Sequence, residues 1–139
     1  MKRSICILVV LLCLATVFAS EIEASIVISG VAPGGGDVYV QMFNSEDSYK
    51  KGESFRSWVA EPSGTTVTLS SLMPAGDYYV MIFQDTNGNG ELDTKLFGIP
   101  REPVGISNFN GRSMPGGFNK HKMRVDAVNP VIPVQLHRL

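Results

Sequence analysis

The feature that most constrains this chain is the run Asp77 to Gln84, DYYVMIFQ, together with the long stretch after it. Read with a period of two, the run places Tyr78, Val80 and Ile82 on one face and Tyr79, Met81 and Phe83 on the other. A strand that is apolar on both faces must be covered on both. A second sheet can cover one side. The other side faces the stretch from Asp85 to Gly117, 33 residues with little strand pattern. Loops beyond ~12–15 residues are uncommon unless functional or internally braced. The reading is therefore a loop folded over the sheet, with Leu96, Phe97, Ile99 and Phe109 supplying the cover.

The other segments read as strands too. Ser25–Ser29 is β-branched and ends at Gly30. Asp37–Phe43 turns Val38, Val40 and Met42 to one side, and Thr65–Leu69 points Val67 and Leu69 inward. Ser54–Ala60 is a further strand, Lys120–Ala127 alternates, and Val131–His137 is the last strand. Pro133 donates no ladder hydrogen bond and puts that strand at an edge or a bulge. Pro74-Ala75-Gly76 is a tight turn. Ser45–Gly52 is polar and long enough for one helical turn, and no segment holds a helical period over ten residues. About seven short strands with Gly/Pro turns predict an all-β fold, a single antiparallel β-sandwich with one long loop over a sheet face.

The first residues stand apart. Lys2 and Arg3 precede an uncharged run, Ile5–Phe18, ending Val17-Phe18-Ala19. This is the pattern of a secretory signal cleaved after Ala19. The run is shorter than the ~20 residues a spanning helix needs, and Glu21 and Glu23 come directly after it, so no membrane span is expected after cleavage. Cys13 follows Leu12, not the small residue a lipoprotein cut favours. The expected division is a signal peptide at 1–19 and a β-sandwich domain at 20–139. The whole chain has 12 basic and 13 acidic residues. Beyond residue 19, 10 basic face 13 acidic, a formal charge of -3. That balance argues against nucleic acid, which needs a basic footprint. Cys6 and Cys13 both lie in the signal, so the remaining 120 residues hold no disulfide, thiolate metal ligand or catalytic thiol. A cysteine-free exported domain suits a bacterial periplasm or exterior better than a small eukaryotic secreted domain.

The long loop opens Asp85-Thr86-Asn87-Gly88-Asn89-Gly90-Glu91-Leu92-Asp93. It matches the first nine positions of the calcium loop D-x-[DN]-x-[DN]-G. Oxygen side chains at alternate positions of a tight loop point to one centre, and Gly90 permits the reversal. The candidate metal residues are Asp85, Asn87 and Asn89 by side chain, Glu91 by its carbonyl, and Asp93 directly or through water. The twelfth position is Leu96 where a bidentate Glu is usual; Glu102 is the residue within reach to replace it. Two Asp with neutral Asn partners set a modest affinity, in the ~10⁻⁴–10⁻³ M class of extracellular modules. Asp, Asn and Gly are also plain turn residues, and Asn-Gly is a hairpin signal.

Together three blocks carry a resemblance. Leu72 to Tyr78 reads L-x-P-A-G-x-Y, Asp85 to Thr94 reads D-x-N-x-N-G-x-x-D-T, and Phe97 to Asn108 reads F-G-I-P-x-E-P-x-G-x-S-N. The chain resembles the secreted bacterial family called domain of unknown function 2141. The resemblance implies a small exported domain, a prealbumin-like or carboxypeptidase-regulatory-like sandwich, and brings no activity or catalytic residue.

Other constellations fail. His121 is expected to pack half-buried beside Met123 and Val125, and His137 to be solvated; no spacing supports zinc. There is no G-x-S-x-G, and Gly34-Gly35-Gly36 lacks the Lys and helix of a phosphate loop. Lys120, Lys122 and Arg124 read as one exposed strand face, a device against edge pairing or a patch for an anionic polymer. Phe55 and Trp58 are core residues or a sugar platform. The leading expectation is a non-enzymatic exported module that binds calcium structurally, with a protein or cell-surface polymer as partner. The alternatives are a carbohydrate- or cell-wall-binding module and a hydrolase using Asp85, Asp93 and Glu102 as carboxylates.

Overall fold

The computed structural model describes residues 20–139. Residues 1–19, expected to be a signal peptide, lie outside the described residues. Eight strands form two sheets. β1 (Glu21–Ser29), β4 (Thr66–Pro74) and β8 (Val131–Gln135) make a three-stranded sheet in the order β4-β1-β8. β2 (Val38–Phe43), β3 (Arg56–Ala60), β5 (Gly76–Gln84) and β6 (Val104–Ile106) follow the order β3-β2-β5-β6, and β7 (Met123–Val125) pairs with the first residues of β5. Two short helices join them: α1 (Glu46–Lys51) and α2 (Phe118–His121). No helix of the described residues is long and apolar enough to cross a membrane.

The expected all-β sandwich is what the chain forms, with two differences in detail. There are eight strands, and β8 runs parallel to β1, from Ser25 opposite Val131 to Ser29 opposite Gln135. The other strand pairs are antiparallel. β8 lies at the sheet edge, where Pro133 leaves no ladder partner unmet.

The core follows from alternation. Ile26 and Ile28 of β1, Val38, Val40 and Met42 of β2, Tyr78, Val80 and Ile82 of β5, and Ile132 and Val134 of β8 form one apolar cluster between the sheets. Val67, Leu69, Phe55 and Trp58 pack against it from the margin, so Trp58 belongs to the core's edge. Fully burying each such side chain stabilises by roughly 1.5–3 kcal/mol.

The outer face of β5 is covered differently from expectation. Tyr79 sits in a second cluster with Phe43, Ile106 and Phe118, flanked by Tyr49, Met81 and Phe109. The roof thus comes from α1 through Tyr49, from α2 through Phe118, and from Phe109. Leu96, Phe97 and Ile99 are exposed at 81%, 94% and 38%, and do not cover it. α1 forms where polarity allowed one helical turn. The Ser45 side chain caps it by accepting the Ser48 N–H at 3.1 Å, and Gly52 ends it in the left-handed conformation.

The Lys120–Ala127 reading is also corrected. Residues 118–121 are a helical turn, and the strand is only Met123–Val125. Lys120, Lys122 and Arg124 therefore do not share a strand face. Lys122 and Arg124 both reach Asp77, at 3.0 and 3.7 Å. His121 is buried, not half-buried: Nδ1–H donates to the Asn108 carbonyl at 2.9 Å, and Nε2 accepts the Gly116 N–H at 3.0 Å. His137 is not solvated either. It lies half-buried against Phe109, with Nε2 buried and unpartnered.

Candidate functional site

The candidate site begins where β5 ends. Gln84, fully buried, fixes that end. Its amide donates to the Ala32 and Gly36 carbonyls at 2.7 and 3.0 Å and accepts the Ala32 N–H at 3.0 Å. The Gly34–Gly36 turn is thereby held against Asp85, whose N–H donates to the Asp37 carbonyl at 2.8 Å. Gly36 has φ +98, and a Cβ there would run into the Asp85 carbonyl oxygen. This position needs glycine for both conformation and space. Sequence reasoning missed Gln84 and Gly36 as determinants of the loop. The available signal was one polar residue closing an otherwise apolar strand.

Asp85 is only 2% exposed. Its Oδ1 accepts from the Gly88 N–H at 2.8 Å and the Asn89 N–H at 3.3 Å, and its Oδ2 from the Gly90 N–H at 2.7 Å. Burial by itself would raise its pKa. The N–H donors of Gly90, Gly88 and Asn89 outweigh that and hold the carboxyl below its ordinary 3.8. Gly90 adopts φ +76, the reversal expected after the third oxygen-bearing residue.

The next side chains turn to a shared point. The Asn87 and Asn89 amides both donate to Asp93 Oδ2, the latter at 3.0 Å. Asn87 Oδ1 accepts the Asn89 N–H at 3.2 Å, and Asn89 Oδ1 accepts the Glu91 N–H at 2.9 Å. Asn87, Asn89 and Glu91 are exposed and Asp93 is half-buried. Asp93 therefore meets the two Asn side chains, while Asp85 organises the backbone of the same turn.

Glu102 comes back to the loop through the loop's backbone. It is 2% exposed, and each oxygen is engaged: Oε1 accepts the Thr86 N–H at 2.8 Å and Oε2 the Asp93 N–H at 3.3 Å. It clasps the two ends of the loop together. Leu96, at the twelfth position itself, is exposed. Among the described residues no three His, Cys, Asp or Glu side chains come together to hold a metal ion. An ion here would rest on two carboxylates together with amide and carbonyl oxygens. That all-oxygen set is of the hard kind calcium takes.

After the loop the chain doubles back. Arg101 N–H donates to the Asp93 carbonyl at 2.8 Å, Thr94 bridges Pro100, and Lys95 N–H donates to the Ile99 carbonyl at 2.6 Å. β6 then rejoins the sheet, the one named strand in a segment with little strand pattern. Ser107 anchors its end, its Oγ accepting the Val80 N–H at 3.0 Å and donating to the His121 carbonyl at 2.8 Å.

A family model described as "Uncharacterized protein conserved in bacteria (DUF2141)" matches residues 26–132. The chain belongs to this family. The matched range spans strands of both sheets and the 85–117 loop. Comparison with curated proteins and with solved structures gives no match.

Proposed function

We infer that this is an exported, non-enzymatic β-sandwich module whose 85–93 loop binds a structural calcium ion. The observation that carries the reading is the convergence of Asn87, Asn89 and Asp93 beside an Asp85 carboxylate held ionised by three backbone N–H groups. Asp85, Asn87, Asn89 and Asp93 would hold the ion with their side chains and Glu91 with its carbonyl. The ion would supply charge balance and cross-linking within the loop. No helix pair flanks the loop to be moved by it, so the role is bracing and not sensing.

Export rests on the basic start and apolar run of residues 2–18 and on the cysteine-free remainder. A protein or cell-surface polymer is the partner class we assign to the long loop. The hydrolase alternative has less support, because Glu102 is only 2% exposed and clasps the Thr86 and Asp93 N–H groups. The sugar-platform alternative loses Trp58 and Phe55 to the core margin.

Thermal melting during a calcium titration tests the ion. Binding only to the native state stabilises by ~1.4 kcal/mol at about ten times Kd, which shifts Tm by a few degrees for a domain of this size. The expected result is a rise that saturates in the millimolar range and disappears in Asp85→Ala. A melting curve that ignores millimolar calcium defeats the reading.

A further inference from the structure

The two arms of the long loop do not close over the sheet. They leave a cavity of about 430 Å³ above the outer face of β5 and β6. Met81, Val104 and Ile106 form its floor; Ile99 and Pro100 stand on one side and Met114 on the other. The volume is within the ~300–1,000 Å³ range of small-molecule sites. Apart from Arg112 and Ser113 the lining is apolar, without an aromatic ring. Methionine walls adapt to a flexible guest, and an apolar space of this kind holds water poorly.

Two further observations concern the cavity's surroundings. Leu96 and Phe97, on the tip between Lys95 and Ile99, are exposed at 81% and 94%, and Met114 at 70%. Phe97 is held at φ 66, a conformation that bulky residues avoid. The other is charge. Arg112 lines the cavity, exposed, and its N–H is tied to Asn110 Oδ1 at 3.1 Å. The ion pairs among the described residues use Lys50, Lys51, Lys122 and Arg124, and Arg112 makes none.

We propose that this cavity is a binding site for a single-chain amphiphile, an acyl chain with an anionic head such as a fatty acid. The chain lies on Met81, Val104 and Ile106, and the head meets Arg112 at the mouth. An aliphatic floor favours a flexible chain over an aromatic ring, and one unpaired guanidinium at the edge favours a single acidic head. Leu92 of the 85–93 loop also lines the cavity, but the ion-site residues Asp85, Asn87, Asn89, Glu91 and Asp93 do not, and the proposal does not rest on calcium.

The test displaces a dansyl-labelled fatty acid from the full domain with decanoate, dodecanoate and tetradecanoate, each below its micelle concentration, in calcium-containing buffer. The expected result is one site per chain, with Kd falling about fourfold for each added methylene. Met114→Asp, at an exposed position that leaves the fold intact, weakens binding at least ~10-fold. Arg112→Gln weakens the carboxylates about fivefold and leaves dodecanol unchanged. Absence of displacement by any of the three acids overturns the proposal. So does an affinity indifferent to chain length or to Met114→Asp. Binding to anionic vesicles without binding to the monomeric acids also overturns it, and assigns the exposed tip to a membrane surface instead.

Discussion

Between the sheets, Ile26, Val40, Val80, Ile82 and Ile132 are sealed from solvent and make up one apolar cluster. In the 85–117 segment Asp85, Glu102 and Ser107 are sealed just as completely, and each is buried on backbone N–H groups. The first region is held by area removed from water, a non-directional effect spread over many side chains. The second is held by individual hydrogen bonds whose partners are buried, where a lost partner leaves an unmet group. The core should therefore answer to volume, and the loop to single atoms, protons and ions.

Ile82→Ala gives the largest expected effect, a loss of about 4 kcal/mol in denaturant unfolding, with any calcium response of the remaining folded protein preserved. If that response vanished as well, core and loop would be one cooperative unit and the contrast would be broken. Gly36→Ala comes next, at about 2–3 kcal/mol, because the new methyl meets the Asp85 carbonyl. Here the calcium-induced rise in Tm should disappear. Retention of that rise would show that the Gly34–Gly36 turn does not position the loop.

Glu102→Ala strips two N–H groups of their acceptor and should cost about 2 kcal/mol. Hydrogen exchange should speed at Thr86 and Asp93 and stay unchanged in β1 and β2. Faster exchange in the sheets would place Glu102 in the global fold and not in the loop alone. The smallest effect is a pH effect at the 126–129 turn. Asn129 and Val128 N–H groups hold the Asp126 carboxyl below its ordinary 3.8. A depressed native pKa gives stability that is complete above pH 3.8 and is lost as pH falls through the lowered value. Asp126→Asn should flatten that acid limb slightly and change little at neutral pH. An unchanged acid limb would remove Asp126 from the account.

The strands were legible because their pattern is local. Val38, Val40 and Met42, or Val67 and Leu69, declare their inward face within five residues. The roof over Tyr79 was not, since Tyr49 and Phe118 reach it from segments some thirty to forty residues away on either side. Four residues from Phe118 to His121 cannot separate a period of two from one of 3.6, so the charged alternation there looked like strand. Leu96, Phe97 and Ile99 are apolar, and composition alone sends them inward. Only the hairpin closed by Lys95 and Ile99 turns the tip outward. In the loop, the motif announced which residues share a turn. It did not announce that Glu102 would spend both oxygens on Thr86 and Asp93.

The parallel pairing of β1 with β8 carries a kinetic consequence. Ser25 and Val131 are more than one hundred residues apart in the chain, and their contact closes the edge of the three-stranded sheet. Such distant pairings slow folding, because the entropy of a large closed loop is lost before any contact rewards it. Until β8 arrives, Ile26 and Ile28 lack Ile132 and Val134 as neighbours, and the core stays open along that edge. A polypeptide of this topology completes its first sheet only when its last strand docks beside its first.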